Sequence, residues 1–116
     1  MDIASVREYC LIKKGATEEL PFGPDTLVFK VQGKIFLLMG LNTADSFNVK
    51  CDPEEAVRLR EEYNEVIPGY HMNKQHWNTV FLNGRLSDVL LKKMIEDSYS
   101  LVVKSLPKKL RETLAT

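Results

Sequence analysis

This chain of 116 residues is poor in several of the parts that chemistry is usually built from. It has two cysteines, Cys10 and Cys51, far apart and at no C-x-x-C or zinc-ligand spacing. That excludes a disulfide framework and a cysteine-rich metal knuckle, and both thiols fall at apolar-facing positions, where a buried free cysteine is expected. Only His71 and His76 supply imidazoles. There is no glycine-rich phosphate loop of either usual spacing and no nucleophile elbow. No run approaches the roughly 18 apolar residues of a membrane span. The start, Met1 to Ser5, lacks the basic and apolar regions of a secretory leader. A cytoplasmic protein without a membrane partner is expected.

An excess of charge is also lacking. Sixteen basic residues meet sixteen acidic ones, so no global field draws in nucleic acid or an anionic membrane. The distribution is less even: from Arg85 onward seven basic residues stand against four acidic ones, a modest positive bias that suits a solvated helix face.

The length fits one ordinary domain, expected to span 1–116, and such a domain buries enough surface to fold without disulfide or metal. Asp2 can cap a first helix carrying Ile3, Val6 and Cys10. Gly15 supplies its stop, with Lys13 and Lys14 suited to the negative end of the helix dipole. Leu20-Pro21-Phe22-Gly23-Pro24-Asp25 is a loop. Leu27, Phe29 and Val31 alternate as a strand, Gln32-Gly33 turns the chain, and Ile35 to Met39 is apolar on both sides, as in mid-sheet. Phe47, Val49 and Cys51 make a third strand.

Asp52-Pro53-Glu54-Glu55 opens a second helix, with Glu55 placed to reach back in a capping box. A short strand is expected near Tyr70 to Met72, paired with a longer one from Trp77 to Leu82. After Asn83-Gly84, Ser87 or Asp88 can cap a long helix bearing Leu91, Ile95, Ser98 and Val102, and Pro107 starts a short last one. The order α-β-β-β-α-β-β-α-α predicts an α+β two-layer sandwich, an antiparallel sheet of about five strands with helices on one face.

Several of these segments together carry a resemblance. They are Pro21-Phe22-Gly23, Val31-Gln32-Gly33-Lys34, Asp52-Pro53-Glu54, the run Pro68-Gly69-Tyr70-His71-Met72-Asn73-Lys74, His76-Trp77-Asn78-Thr79-Val80, and Ser98-Tyr99. In combination they resemble the MmcQ/YjbR family over almost the whole chain. The resemblance implies a compact α+β fold related in shape to secretion chaperones and frataxin-like proteins. It also implies a DNA-binding role, and it offers no catalytic residue to carry over.

The candidate sites are weighed on that basis. Catalysis lacks its usual parts, so no enzyme and no cofactor are expected. His71 and His76 flank a loop-to-strand junction rather than one helix face, which reads as local hydrogen bonding, not a metal site. A frataxin-like acidic ridge is interrupted: Arg58 and Arg60 stand among Glu54, Glu55, Glu61, Glu62 and Glu65. Nucleic acid needs cations for phosphate and an aromatic for stacking. Lys74, His76 and Trp77 after the Gly-Tyr loop, with Lys30 and Lys34 at the hairpin and Lys50 on the third strand, supply both. Arg58 and Arg85 are secondary candidates. Trp77 shares strand parity with Thr79 and Phe81, so a core position is the competing reading. The alternative class is a protein- or peptide-binding module, monomeric or a homodimer, which suits the neutral net charge.

Overall fold

Short polar signals set the helix ends. The computed structural model describes residues 1–42, 45–69 and 72–115. Its elements are α1 (Ile3–Leu11), β1 (Ala16–Glu19), β2 (Thr26–Val31), β3 (Lys34–Gly40), β4 (Ser46–Lys50), α2 (Pro53–Glu62), β5 (Val66–Pro68), β6 (Trp77–Phe81), α3 (Asp88–Ser105) and α4 (Lys108–Ala115). Asp2 caps α1 by accepting from the Ser5 amide at 2.8 Å. Asp52 caps α2, with Pro53 in the first turn. Ser87 caps α3 through the Leu90 amide at 3.1 Å. The expected capping box does not close, because Glu55 turns toward Arg58 instead.

The sheet has six antiparallel strands in the order β1-β2-β3-β4-β6-β5. The α+β sandwich holds, with one strand more than the pattern suggested. Ala16-Thr17-Glu18-Glu19 carries no apolar alternation, yet pairs with β2 from Ala16 opposite Val31 to Glu19 opposite Val28. Its charged residues suit an exposed edge. The opposite edge, β5, is three residues long and ends in Pro68, which has no N–H to offer a further strand. This strand lies earlier than the one expected near Tyr70 to Met72, of which Tyr70 and His71 lie outside the described residues. Its pairing with the longer strand is as expected. Gln32 and Gly33 make the tight β2–β3 turn with φ of 50° and 79°.

A bulge shapes the centre. Phe29 pairs with Leu37 and Lys30 with Ile35, so Phe36 is an extra residue. Phe36 and Leu37 are consequently both fully buried on the helix side. The bulge leaves the Phe36 carbonyl for a side chain to satisfy. The Ser98 hydroxyl of α3 donates to it at 2.6 Å and accepts the Lys50 amide at 2.8 Å. The neighbouring Tyr99 packs edge-on against Phe36, with centroids 5.4 Å apart, and its hydroxyl donates to the Lys14 carbonyl.

The core lies between one face of the sheet and the helices. Leu27, Phe29, Met39, Phe47, Val49 and Val80 come from the strands, Val6 and Cys10 from α1, Ala56 and Leu59 from α2, and Leu91, Ile95 and Val102 from α3. Among the described residues, no helix is long and apolar enough to cross a membrane.

Candidate functional site

The topology gathers the residues singled out in the sequence at one end of the sheet. The end of β2, the start of β3, the end of β4 and the start of β6 are adjacent there. Lys30, Lys34, Lys50, Lys74, His76 and Trp77 therefore lie along a single rim. From β2 to β6 it spans three inter-strand steps, about 15 Å.

Strand parity then sorts the two faces. Val49 and Asn78 pair on the helix side, so Asn48 with Thr79 and Lys50 with Trp77 pair on the other. The Thr79 hydroxyl donates to the Asn48 side chain at 2.5 Å on that far face. Trp77 is half-buried and takes no part in the hydrophobic core. By register Lys50 is its cross-strand neighbour. Thr79 and Phe81 follow Trp77 on the same side, and Ile67 of β5 sits beside Thr79.

The segment leading to Trp77 is pinned through its main chain. Three successive ties hold its carbonyls. Arg60 of α2 donates to the Lys74 carbonyl, the Cys51 amide donates to the His76 carbonyl at 2.7 Å, and the Gly69 amide donates to the Trp77 carbonyl at 2.8 Å. Arg60 also reaches the Trp77 carbonyl at 3.2 Å and the buried Asn78 side chain at 2.7 Å. Asn73 closes the turn by accepting the Gln75 amide on its side chain and the Trp77 amide on its carbonyl, both at 2.9 Å. Gly69 packs so closely that an added Cβ would stand 2.7 Å from the Trp77 Cβ. Main-chain ties leave the side chains of Lys74 and Gln75 exposed and those of His76 and Trp77 half-exposed.

The cations of the rim are not equivalent. Lys30 is engaged by Glu19 of β1 at 2.6 Å. Among the described residues Lys34, Lys50 and Lys74 have no carboxylate within ion-pair distance. Arg58 faces away on α2, between Glu55 and Glu62. That arrangement divides the acidic residues of α2 rather than leaving them as a ridge. Among the described residues no three of His, Cys, Asp and Glu converge as a metal site would require, and His71 lies outside those residues. Both thiols are buried: desolvation pushes Cys10 up to about 12 and Cys51 up to about 11.

Beyond the other end of β6 lies an open cleft of about 580 Å³. Tyr63, Asn64, Glu65, Phe81, Asn83, Arg85 and Leu86 line it, with Glu62 at its margin. Glu65 accepts the Arg85 amide at 2.6 Å, which holds its carboxyl below the usual range. Nothing in the sequence pattern marks this cleft or gives Arg60, Asn78 and Gly69 a place beside the rim. Arg60 reads as a break in an acidic helix, and nothing in the spacing links it to Lys74 or Trp77. The parity of Trp77, Thr79 and Phe81 was the one signal that could have drawn Phe81 in.

A six-stranded antiparallel sheet backed by helices on one face defines a small α+β domain. The chain belongs to the YjbR family, whose model matches residues 11–101. It is 31% identical over 115 residues to the uncharacterised protein YjbR of Escherichia coli K12, covering 98% of both chains. It is 43% identical over 90 residues to the uncharacterised YbdF of Escherichia coli O157:H7, covering 77% of this chain and 74% of that one. A crystal structure of a Deinococcus radiodurans protein assigned to DUF419 superposes with a TM-score of 0.92 at 33% identity, covering 98% of this chain and 88% of that one.

Proposed function

We propose that the chain acts by binding, without catalysis, and that its ligand is DNA held at the rim formed by Lys34, Lys50, Lys74, His76 and Trp77, with Lys30 at the margin. The observation that carries this reading is the pinned segment before Trp77. Its carbonyls are held by Arg60, Cys51 and Gly69, which leaves the Lys74 side chain exposed and those of His76 and Trp77 half-exposed. Preorganised side chains lose less freedom on binding. The lysines neutralise phosphate, and the indole offers a face for a base. Burial leaves the two thiols without thiolate character near neutral pH, which argues against a cysteine nucleophile.

The reading is tested by the emission of Trp77, the sole tryptophan, during titration with short single- and double-stranded DNA at low and moderate salt. The expected result is a saturable change that weakens with salt and is lost in Lys74→Glu. Unchanged emission, with no shift in a mobility assay, moves the assignment to a protein or peptide partner. That second reading is favoured by Leu20, Phe22 and Leu41 at the opposite end of the sheet, of which Phe22 is 66% exposed.

A further inference from the structure

We infer that the ligand is single-stranded DNA lying along β6, with one base stacked on Trp77 and another on Phe81; this rests on the DNA reading of the rim and extends it to the cleft. Trp77 and Phe81 are four residues apart on one strand and share a face by parity. Both are half-buried, and neither takes part in the hydrophobic core. Their separation along the strand is about 13 Å. Stacked bases in a helix rise by about 3.4 Å, and a duplex keeps their faces inside the stack. Two aromatic faces this far apart on a sheet surface are met by bases that have come out of a stack.

The polar groups divide along the same line. At the Trp77 end, Lys50 and Lys74 lack carboxylate partners among the described residues and stand where phosphates would flank the first base. At the Phe81 end, Glu62 is paired with Arg58, and the Glu65 carboxylate stands against the Arg85 amide. With two carboxylates, Glu62 and Glu65, against one cation, Arg85, this end repels a phosphate and suits a base edge better. Asn64 and Asn83 beside Phe81 in the cleft bring the donors and acceptors that a base edge needs.

Between the two platforms the sugar meets Ile67, which is 36% exposed, while the Thr79 hydroxyl is already given to Asn48. An apolar neighbour there favours deoxyribose over a sugar with a 2′-hydroxyl to satisfy.

The test is fluorescence anisotropy of the intact chain with four labelled probes. They are a 12-nucleotide deoxy strand, the same length made fully abasic, the matching duplex, and a ribo strand of equivalent sequence. The deoxy strand is expected to bind at least roughly 30-fold more tightly than the abasic one, since two stacks are lost and each is worth roughly 5- to 150-fold. Trp77→Leu and Phe81→Leu keep apolar bulk and remove the ring face. Each is expected to weaken the deoxy strand and leave the abasic strand unchanged. Equal binding of deoxy and abasic strands overturns the stacking while leaving the DNA reading standing on phosphate contacts. A preference for the duplex, or for the ribo strand, overturns the ligand assigned here. No binding of any probe removes the DNA reading itself. The comparison of deoxy and abasic strands uses the unmodified protein, so it decides the matter even where a variant fails to fold.

Discussion

Ser98 shows how one hydroxyl can hold an irregularity in place. The bulge at Phe36 turns two consecutive large residues into the core, which a regular strand cannot do. The cost is a main-chain carbonyl and the Lys50 amide that need partners away from water, and Ser98, itself fully buried, serves both. Leaving a buried polar group unpaired costs about 1–3 kcal/mol. Ser98→Ala removes both bonds at once and leaves only a small void. It is therefore expected to lower stability by about 2–4 kcal/mol. The signature is a lower urea midpoint with an unchanged slope, since the surface exposed on unfolding does not alter. A midpoint within error of the parent would mean that water reaches the bulge.

At the scale of elements, α2 and the segment before β6 behave as one piece. The helix buries Ala56 and Leu59, and from the same surface Arg60 extends to the Lys74 and Trp77 carbonyls and to Asn78. Arg60→Met keeps the apolar stem and removes the guanidinium. Asn78, 1% exposed, then loses its partner, and a loss of about 1–3 kcal/mol is expected. The larger effect is local: hydrogen exchange at the Gln75, His76 and Trp77 amides is expected to accelerate beyond the global change. Exchange there that tracks global stability alone would show that Gly69 and Cys51 suffice to hold the segment.

The same element shows where sequence stops being informative. Helix caps, the Gln32-Gly33 turn and the alternation of β2 and β4 are local signals, and each was legible. β1 was not, because an edge strand with one partner needs little apolar pattern. Nor was the bulge, since an unbroken apolar run from Ile35 to Met39 fits any register. The rim was half legible. Its residue types stood out, but the ties from Arg60 and Gly69 join positions whose separation in sequence follows no rule. The burial of Trp77 turned on which sheet face its parity selected, and alternation leaves that choice to the packing of the helices.

For the molecule as a whole, the response to pH follows from where its charges and thiols lie. Hydrogen bonds from Arg7 to Glu18, Arg58 to Glu55 and Lys13 to Glu96, and the Arg85 amide to Glu65, hold these four carboxyls below 4.5. Groups with lowered values stabilise the fold above their unfolded range and lose that contribution as pH falls through the folded values. Because all four are near the surface, solvent screening keeps each contribution small. At the other extreme, burial raises Cys10 and Cys51 from 9.0 to about 12 and about 11. Their contribution is complete below pH 9.0 and is lost as pH rises through those values, because the unfolded chain gives up the thiol protons first. A stability plateau from about pH 5 to about pH 9 is expected, falling on both sides, in urea midpoints measured across the range. The thiols give an independent check at a single pH. A disulfide reagent at pH 8 needs thiolate and access, and the native fold withholds both. Labelling of Cys10 and Cys51 is expected to proceed at the rate at which the chain opens, to accelerate with urea in step with unfolding, and to become independent of reagent concentration when the reagent is in excess. Rapid labelling of either cysteine in native buffer would mean that its side of the core opens without the rest.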